Sequence, residues 1–125
     1  MPSHPALHEL ETKIMAAVWE QGEATVRSVT DALADDADGP RSYTTVLTVM
    51  TRLDRKGFLD RRREGKKDIY VPAVDRDDYM RVRSEVEVDA LLDAYGDLAL
   101  TEFARRFAQL DPARQRALRR RARSG

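Results

Sequence analysis

The chain has 125 residues and no cysteine, so disulfide scaffolds, thiolate metal sites and cysteine nucleophiles are excluded; the length points to one compact domain, or a small domain with an appendage. Hydrophobic residues make up 42%, but with only three Phe, four Tyr and one Trp the composition favours small helical packing units over an aromatic-rich sandwich. Charged residues make up 35%, with 22 Lys and Arg against 22 Asp and Glu; no run is apolar enough for a membrane span or a leader, so a cytoplasmic protein is expected.

The first periodic segment carries Leu7, Leu10, Ile14, Met15, Val18 and Trp19, a spacing that only a helix gathers on one face, and Gly22 ends it. A second helix is predicted after Thr25, with Val26, Val29, Ala32 and Leu33 at helical spacing. Asp35, Asp36, Asp38, Gly39 and Pro40 then read as an exposed turn. A calcium loop is not expected there, because the template would place Ala34 at its first position and Thr45 at its twelfth.

The stretch from Ser42 to Lys56 is rich in β-branched residues, and propensity alone would make it a strand. Periodicity predicts a helix instead, with Val46, Leu47, Val49, Met50 and Leu53 on one stripe, Ser42 as N-cap and Gly57 as the stop. Two extended runs follow, 58–63 and 67–73, separated by Glu64, Gly65 and Lys66. They predict a hairpin with Ile69 and Val71 on its packed face and a basic tip. Helical signals resume after Asp75, restart at Asp97, and restart again at Asp111 and Pro112.

The expected fold is therefore mainly α with a small β-hairpin wing: a winged helix-turn-helix domain over 1–74 and a helical dimerisation region over 75–125. A tail of this size buries too little surface alone. Its apolar residues Val82, Val86, Leu91, Leu92, Leu100, Phe103 and Phe107 are the expected contacts of a homodimer.

The zero net charge resolves into blocks. Residues 1–40 have eight acidic and two basic residues, while residues 41–67 have nine basic and three acidic. Residues 68–111 are again acidic, and residues 112–125 contain six arginines and no acid. A local basic block is the footprint of phosphate binding, although a set of solvated faces gives the same count. On the third helix, Thr45, Thr48, Arg52 and Arg55 form a polar face of residue types suited to base edges in a major groove. The hydroxyls of Ser42 and Thr44 at the helix start are suited to a phosphate, the hairpin arginines Arg61, Arg62 and Arg63 to the neighbouring backbone or the minor groove, and Arg41, Lys66 and Lys67 complete the expected DNA-binding set. The arginines of 112–125 are open between DNA contacts and ion pairs with the acidic 68–111 block.

Several segments together resemble the BlaI/MecI penicillinase-repressor family: Leu10-Glu11, Ile14-Met15 and Val18-Trp19; the run from Tyr43 to Leu53 with Lys56-Gly57; Arg63-Glu64-Gly65-Lys66; and Tyr70-Val71-Pro72. The resemblance implies a dimeric transcriptional repressor that reads an inverted repeat of double-stranded DNA, built around TACA and TGTA half-sites, through Thr44, Thr45, Thr48 and Arg52. It also implies control of β-lactamase or cell-envelope stress genes, and a membrane sensor protease that relieves repression. In the staphylococcal members the repressor is cut at an Asn-Phe bond; the matching pair here is Glu102-Phe103, and the change to Glu puts that cut in doubt. The cysteines by which copper-responsive relatives sense metal are missing.

Rival functions fare worse. His4 and His8 have no nucleophile, phosphate loop or further ligands beside them, so neither an enzyme nor a metal site is expected, and no cofactor. A winged helix used only for protein contacts is the alternative. It has little need to concentrate basic charge on the third helix and wing.

Overall fold

The computed structural model describes residues 7–124, so His4 lies outside the described residues. The element order is α1 (Glu9–Gln21), α2 (Val26–Ala32), α3 (Tyr43–Arg55), β1 (Leu59–Glu64), β2 (Lys67–Pro72), α4 (Arg76–Tyr95), α5 (Asp97–Ala108) and α6 (Pro112–Ser124). The chain forms two compact units, Met1–Arg83 and Ser84–Gly125.

In the first unit each helix start is fixed by a side chain that takes up a free backbone N–H. The Thr25 hydroxyl accepts from the Ser28 N–H at 3.0 Å while the Ser28 hydroxyl accepts from the Thr25 N–H at 2.9 Å. The Ser42 hydroxyl accepts from the Thr45 N–H at 3.1 Å and opens α3. The β-branched run then stays helical because Val46, Val49, Met50 and Leu53 are buried together, and the hydrophobic gain of four core contacts outweighs a small propensity deficit. The Thr48 hydroxyl donates to the Thr44 carbonyl at 3.0 Å, sharing the acceptor of the helical N–H, a small cost that the core contacts also outweigh.

At the end of α3 the Gly57 N–H donates to the Asp54 carbonyl at 3.1 Å and the Phe58 N–H to the Leu53 carbonyl at 2.9 Å. This double closure requires the left-handed backbone that Gly57 adopts at φ 87°, and it brings Phe58 against Leu53 in the core. The chain turns directly into the antiparallel hairpin of β1 and β2, in register from Leu59 opposite Pro72 to Glu64 opposite Lys67. Tyr70 also exchanges two backbone hydrogen bonds with Ala24, at 2.9 and 2.7 Å, so the base of the wing is bonded to the α1–α2 connection.

Two details differ from the sequence expectation. Tyr70, at 1% exposure, faces the core, while Ile69 and Val71 are only half-buried. The pairing with Ala24 sets which face of β2 points inward, and the apolar alternation of Ile69 and Val71 is overridden. Leu47 does not join the α3 stripe. At about 100° per residue it falls on the far side of Met50, and it is exposed.

The core extends to the start of α4. Tyr79 packs with ring centroids 5.8 Å from Trp19 and 5.7 Å from Phe58, and its hydroxyl accepts from the Leu7 N–H at 3.2 Å. The Trp19 Nε1–H donates to the Val74 carbonyl at 2.9 Å. These contacts hold the first turns of α4 in the first unit.

In the second unit Asp111 caps α6 by accepting from the Arg114 N–H at 2.9 Å, with Pro112 at the first helical position. Gln115 Nε2 donates to the Phe107 and Leu110 carbonyls, and the Arg119 guanidinium lies 5.0 Å from the Phe107 ring centroid. No described residue of this unit is buried. No helix of the described residues is long and apolar enough to cross a membrane.

Candidate nucleic-acid interface

The buried side chains of α3 occupy a little over a quarter of its circumference, and the rest is open. Thr44, Thr48 and Arg55 lie near the middle of the open arc; Thr45 and Arg52 flank it on one side and Tyr43 and Leu47 on the other, all exposed. The polar face expected from spacing is present, widened by Tyr43 and Leu47. A convex helical surface with threonine methyls, hydroxyls and arginines fits the width and the donor and acceptor pattern of a DNA major groove.

Arg52 is the most constrained residue of this arc. Its Nε donates to Glu11 Oε2 at 3.1 Å, and Lys56 Nζ donates to the same oxygen at 2.9 Å. Glu11 is 0% exposed, and its Oε1 accepts from the His8 N–H at 2.9 Å. Burial by itself pushes the Glu11 carboxyl up, but the hydrogen bonds from Lys56, the His8 N–H and Arg52 prevail and hold it at about 2.

The basic residues of the wing separate onto two faces. Arg61 and Arg63 stand on the side of the hairpin that also carries Leu59 and Tyr70, within 3.9 Å of Asp54 and 3.3 Å of Asp68 respectively. Arg62 points to the opposite side and pairs with Glu23 at 3.0 Å and Glu64 at 3.2 Å. Lys66 and Lys67 at the tip, like Arg55 on α3, make no ion pair among the described residues. They line a cleft of about 410 Å³ whose other walls are the start of α2 and the Tyr43 and Leu47 flank of α3.

This cleft adds residues that the sequence reading passed over. Arg27 enters it from α2, with its guanidinium 6.0 Å from the Tyr43 ring centroid and no ion pair among the described residues. Its one signal in the sequence is isolation, as the sole basic residue between Lys13 and Arg41. Tyr43 and Leu47 gave no such signal, because an apolar residue in a helix is more often core.

Two expected contacts are engaged elsewhere. Arg41 Nη1 pairs with Asp36 at 3.1 Å and also donates to the Gly39 carbonyl, and the Ser42 hydroxyl is occupied as the α3 cap. The 35–40 turn is accordingly braced from within: Lys13 Nζ lies 2.8 Å from Asp36 and 2.6 Å from Asp38. The hydrogen bond from Lys13, aided by Arg41 and the Asp38 N–H, holds the Asp36 carboxyl at about 2. No group of His, Asp or Glu suited to a metal ion is found among the described residues.

Of the expected dimer contacts, Leu91, Leu100 and Phe103 are exposed, and Val86, Leu92 and Phe107 are half-buried in the second unit. Val82 is half-buried and falls in the first unit. Leu91, Tyr95, Leu98 and Phe103 surround an apolar hollow of about 310 Å³. Glu102 and Phe103 sit within α5, with Arg105 and Arg106 at 3.2 and 3.5 Å from the Glu102 carboxylate.

The family model described as penicillinase repressor matches residues 7–123. The chain is 29% identical over 84 residues to the penicillinase repressor of Bacillus licheniformis, covering 67% of this chain and 64% of that one. It is 36% identical over 89 residues to the transcriptional regulator BlaI of Mycobacterium tuberculosis, covering 70% and 61%. The chain thus spans somewhat under two thirds of the length of these curated relatives. Among solved structures, the monomeric form of Bacillus licheniformis BlaI in complex with the blaP half-operator superposes with a TM-score of 0.51 at 28% identity, over 61% of this chain and 90% of that one.

Proposed function

Because the chain belongs to the penicillinase-repressor family, we propose that it is a transcriptional repressor that binds operator DNA through its winged-helix unit. The observation that carries this reading is the open arc of α3, with Thr44, Thr48 and Arg55 central and Arg52 and Thr45 beside them, next to a cleft rimmed by Arg27, Lys66 and Lys67. The arc reads base edges in the major groove, and the cleft cations take the backbone phosphates alongside. The half-operator complex of the BlaI relative supports the same use of the fold. Arg61 and Arg63 extend the basic track along the wing; Arg41, Ser42 and Arg62 contribute once their present partners exchange for phosphate.

The second unit makes the repressor a homodimer, and the partner copy covers the exposed Leu91, Leu100 and Phe103. Two copies then read the two halves of an inverted repeat. Target genes of the β-lactamase or cell-envelope stress type, and relief of repression by a membrane sensor protease, follow from the family. The helical setting of Glu102 and Phe103 favours a contact role for Phe103 over a cut at that bond, since proteolysis concentrates in exposed irregular segments.

The test is selection of duplexes from a random-sequence pool by the full chain, with sedimentation of the free protein. Enrichment of a dyad-symmetric motif by a dimer is the expected result. A winged helix used only for protein contacts enriches no sequence.

A further inference from the structure

Glu11 stands out as a fully buried carboxylate at the third position of α1, and it does not line the cleft. All of its interactions are accounted for: one oxygen takes the His8 N–H, and the other takes both Arg52 Nε and Lys56 Nζ. Desolvating a carboxylate is costly, and a Met or Leu would fill the same space without that cost. The hydrogen bonds of Glu11 with the His8 N–H, Arg52 and Lys56 offset that cost, and holding the start of α1 is one reason for an acid at this place.

The geometry gives a second one. Arg52 and Lys56 are one turn apart on α3, so their charges repel, and both side chains are long and rotamer-rich. Glu11 binds Arg52 through Nε, the nitrogen nearest the stem. The guanidinium is thereby fixed in direction, while Nη1 and Nη2 make no ion pair or hydrogen bond among the described residues. That leaves the two-pronged edge, the part suited to the N7 and O6 of a guanine, available on a half-exposed side chain. A long arginine that arrives already oriented loses less freedom on binding.

Resting on the DNA-reading function above, we propose that Glu11 is a positioning residue for sequence discrimination: from the interior of α1 it holds Arg52 of α3 in its reading orientation. Glu11 touches no DNA. It acts only through Arg52, and Lys56 serves to balance the buried charge.

The experiment uses the full chain and the motif that it enriches from a random duplex pool. Discrimination is the ratio of affinity for that motif to affinity for duplexes changed at one base pair, measured by fluorescence anisotropy where circular dichroism shows each variant folded. Arg52→Ala is expected to lower discrimination roughly tenfold at one base pair of each half-site. Glu11→Gln should lower it at the same base pair by roughly two- to tenfold, the cost of ordering one long side chain, and leave the salt dependence of binding unchanged. In the Arg52→Ala background Glu11→Gln should have no further effect. Lys56→Ala, which disturbs the same buried carboxylate but spares the Arg52 contact, should keep discrimination.

Unchanged discrimination in Glu11→Gln overturns the proposal. So does an equal loss in Lys56→Ala, because the effect then follows from the stability of the cluster and not from the aim of Arg52. If the wild-type chain enriches no motif at all, the DNA-reading function falls, and the role of Glu11 falls with it.

Discussion

Both compact units are built largely of helices, yet they differ sharply in burial. Every buried apolar side chain among the described residues lies in Met1–Arg83, where α1, α2, α3 and the hairpin enclose Ile14, Met15, Val18, Leu53, Phe58 and Tyr70. In Ser84–Gly125, helices of ordinary length expose Tyr95, Leu98, Leu100 and Phe103. Well-formed helices and a satisfied core are thus separate achievements: caps and periodicity suffice for the first, and the second needs a facing surface. The first unit supplies that surface from its own chain. The second leaves its apolar side chains unburied among the described residues.

The sharpest way to break this contrast is to truncate one phenylalanine in each unit. Phe58→Ala, at a 1% exposed site, should lower the unfolding free energy by about 3–5 kcal/mol in denaturant titration. Phe103→Ala, 43% exposed, should change the stability of the dilute chain by less than about 0.5 kcal/mol and weaken self-association in sedimentation velocity. Equal losses of stability would mean that both units have cores of the same kind.

Acid should next reach the first unit through two carboxylates. Glu11 and Asp36 are each held at about 2 in the folded chain, below the 4.5 and 3.8 of free carboxylates. A group with a depressed folded value contributes stability above its unfolded value and loses it as pH falls toward the folded one. Melting temperature should therefore decline from about pH 4.5 to about pH 2, with Glu11 accounting for on the order of 2–3 kcal/mol. The Glu11→Gln variant should show a shallower decline, and an identical acid limb in thermal melts would dissociate Glu11 from the effect.

Within the first unit, the wing allows a smaller comparison. Lys67 lines the cleft with no ion pair among the described residues, whereas Arg62 is held by Glu23 and Glu64. Lys67→Ala should reduce the slope of log K against log salt by about 0.9, the value for one lost phosphate contact. Arg62→Ala should reduce it by less, because part of its charge is already compensated. The smallest effect is expected from truncation after Asp111, which removes the α6 arginines: the salt slope of DNA binding should stay the same. A lower slope would place those arginines on the duplex.

Much of the first unit was legible in the sequence because its signals agree with one another. Thr25, Ser42 and Gly57 mark boundaries by local chemistry, and the helical stripe in α3 overrode the strand preference of its threonines and valines. The errors fell where a decision depends on residues distant in the chain. Tyr70 faces inward because of a bridge to Ala24, and no period within β2 carries that information. Leu47 is apolar and helical, yet its position beyond the edge of the stripe leaves it in the open. The site was legible as a set of residue types and less so as an arrangement. Spacing placed Arg52 on the polar face, but the partner that orients it, Glu11, belongs to another helix. Arg41 is paired with Asp36, which its place in the basic block does not reveal, and Arg27 joins the cleft only because folding brings α2 beside Lys66 and Lys67.

The bridge between Ala24 and Tyr70 also bears on the order in which the domain is completed. It joins residues far apart in the chain, so closing it costs more chain entropy than a turn within any one helix, and it is expected to form after the helices. Until the hairpin docks, the Ala24 backbone groups have no protein partner and the cleft lacks its Lys66 and Lys67 wall. The cleft therefore takes shape only as the wing docks, and amide exchange should show the Ala24 and Tyr70 N–H groups opening together, as one unit, well before the amides of α3.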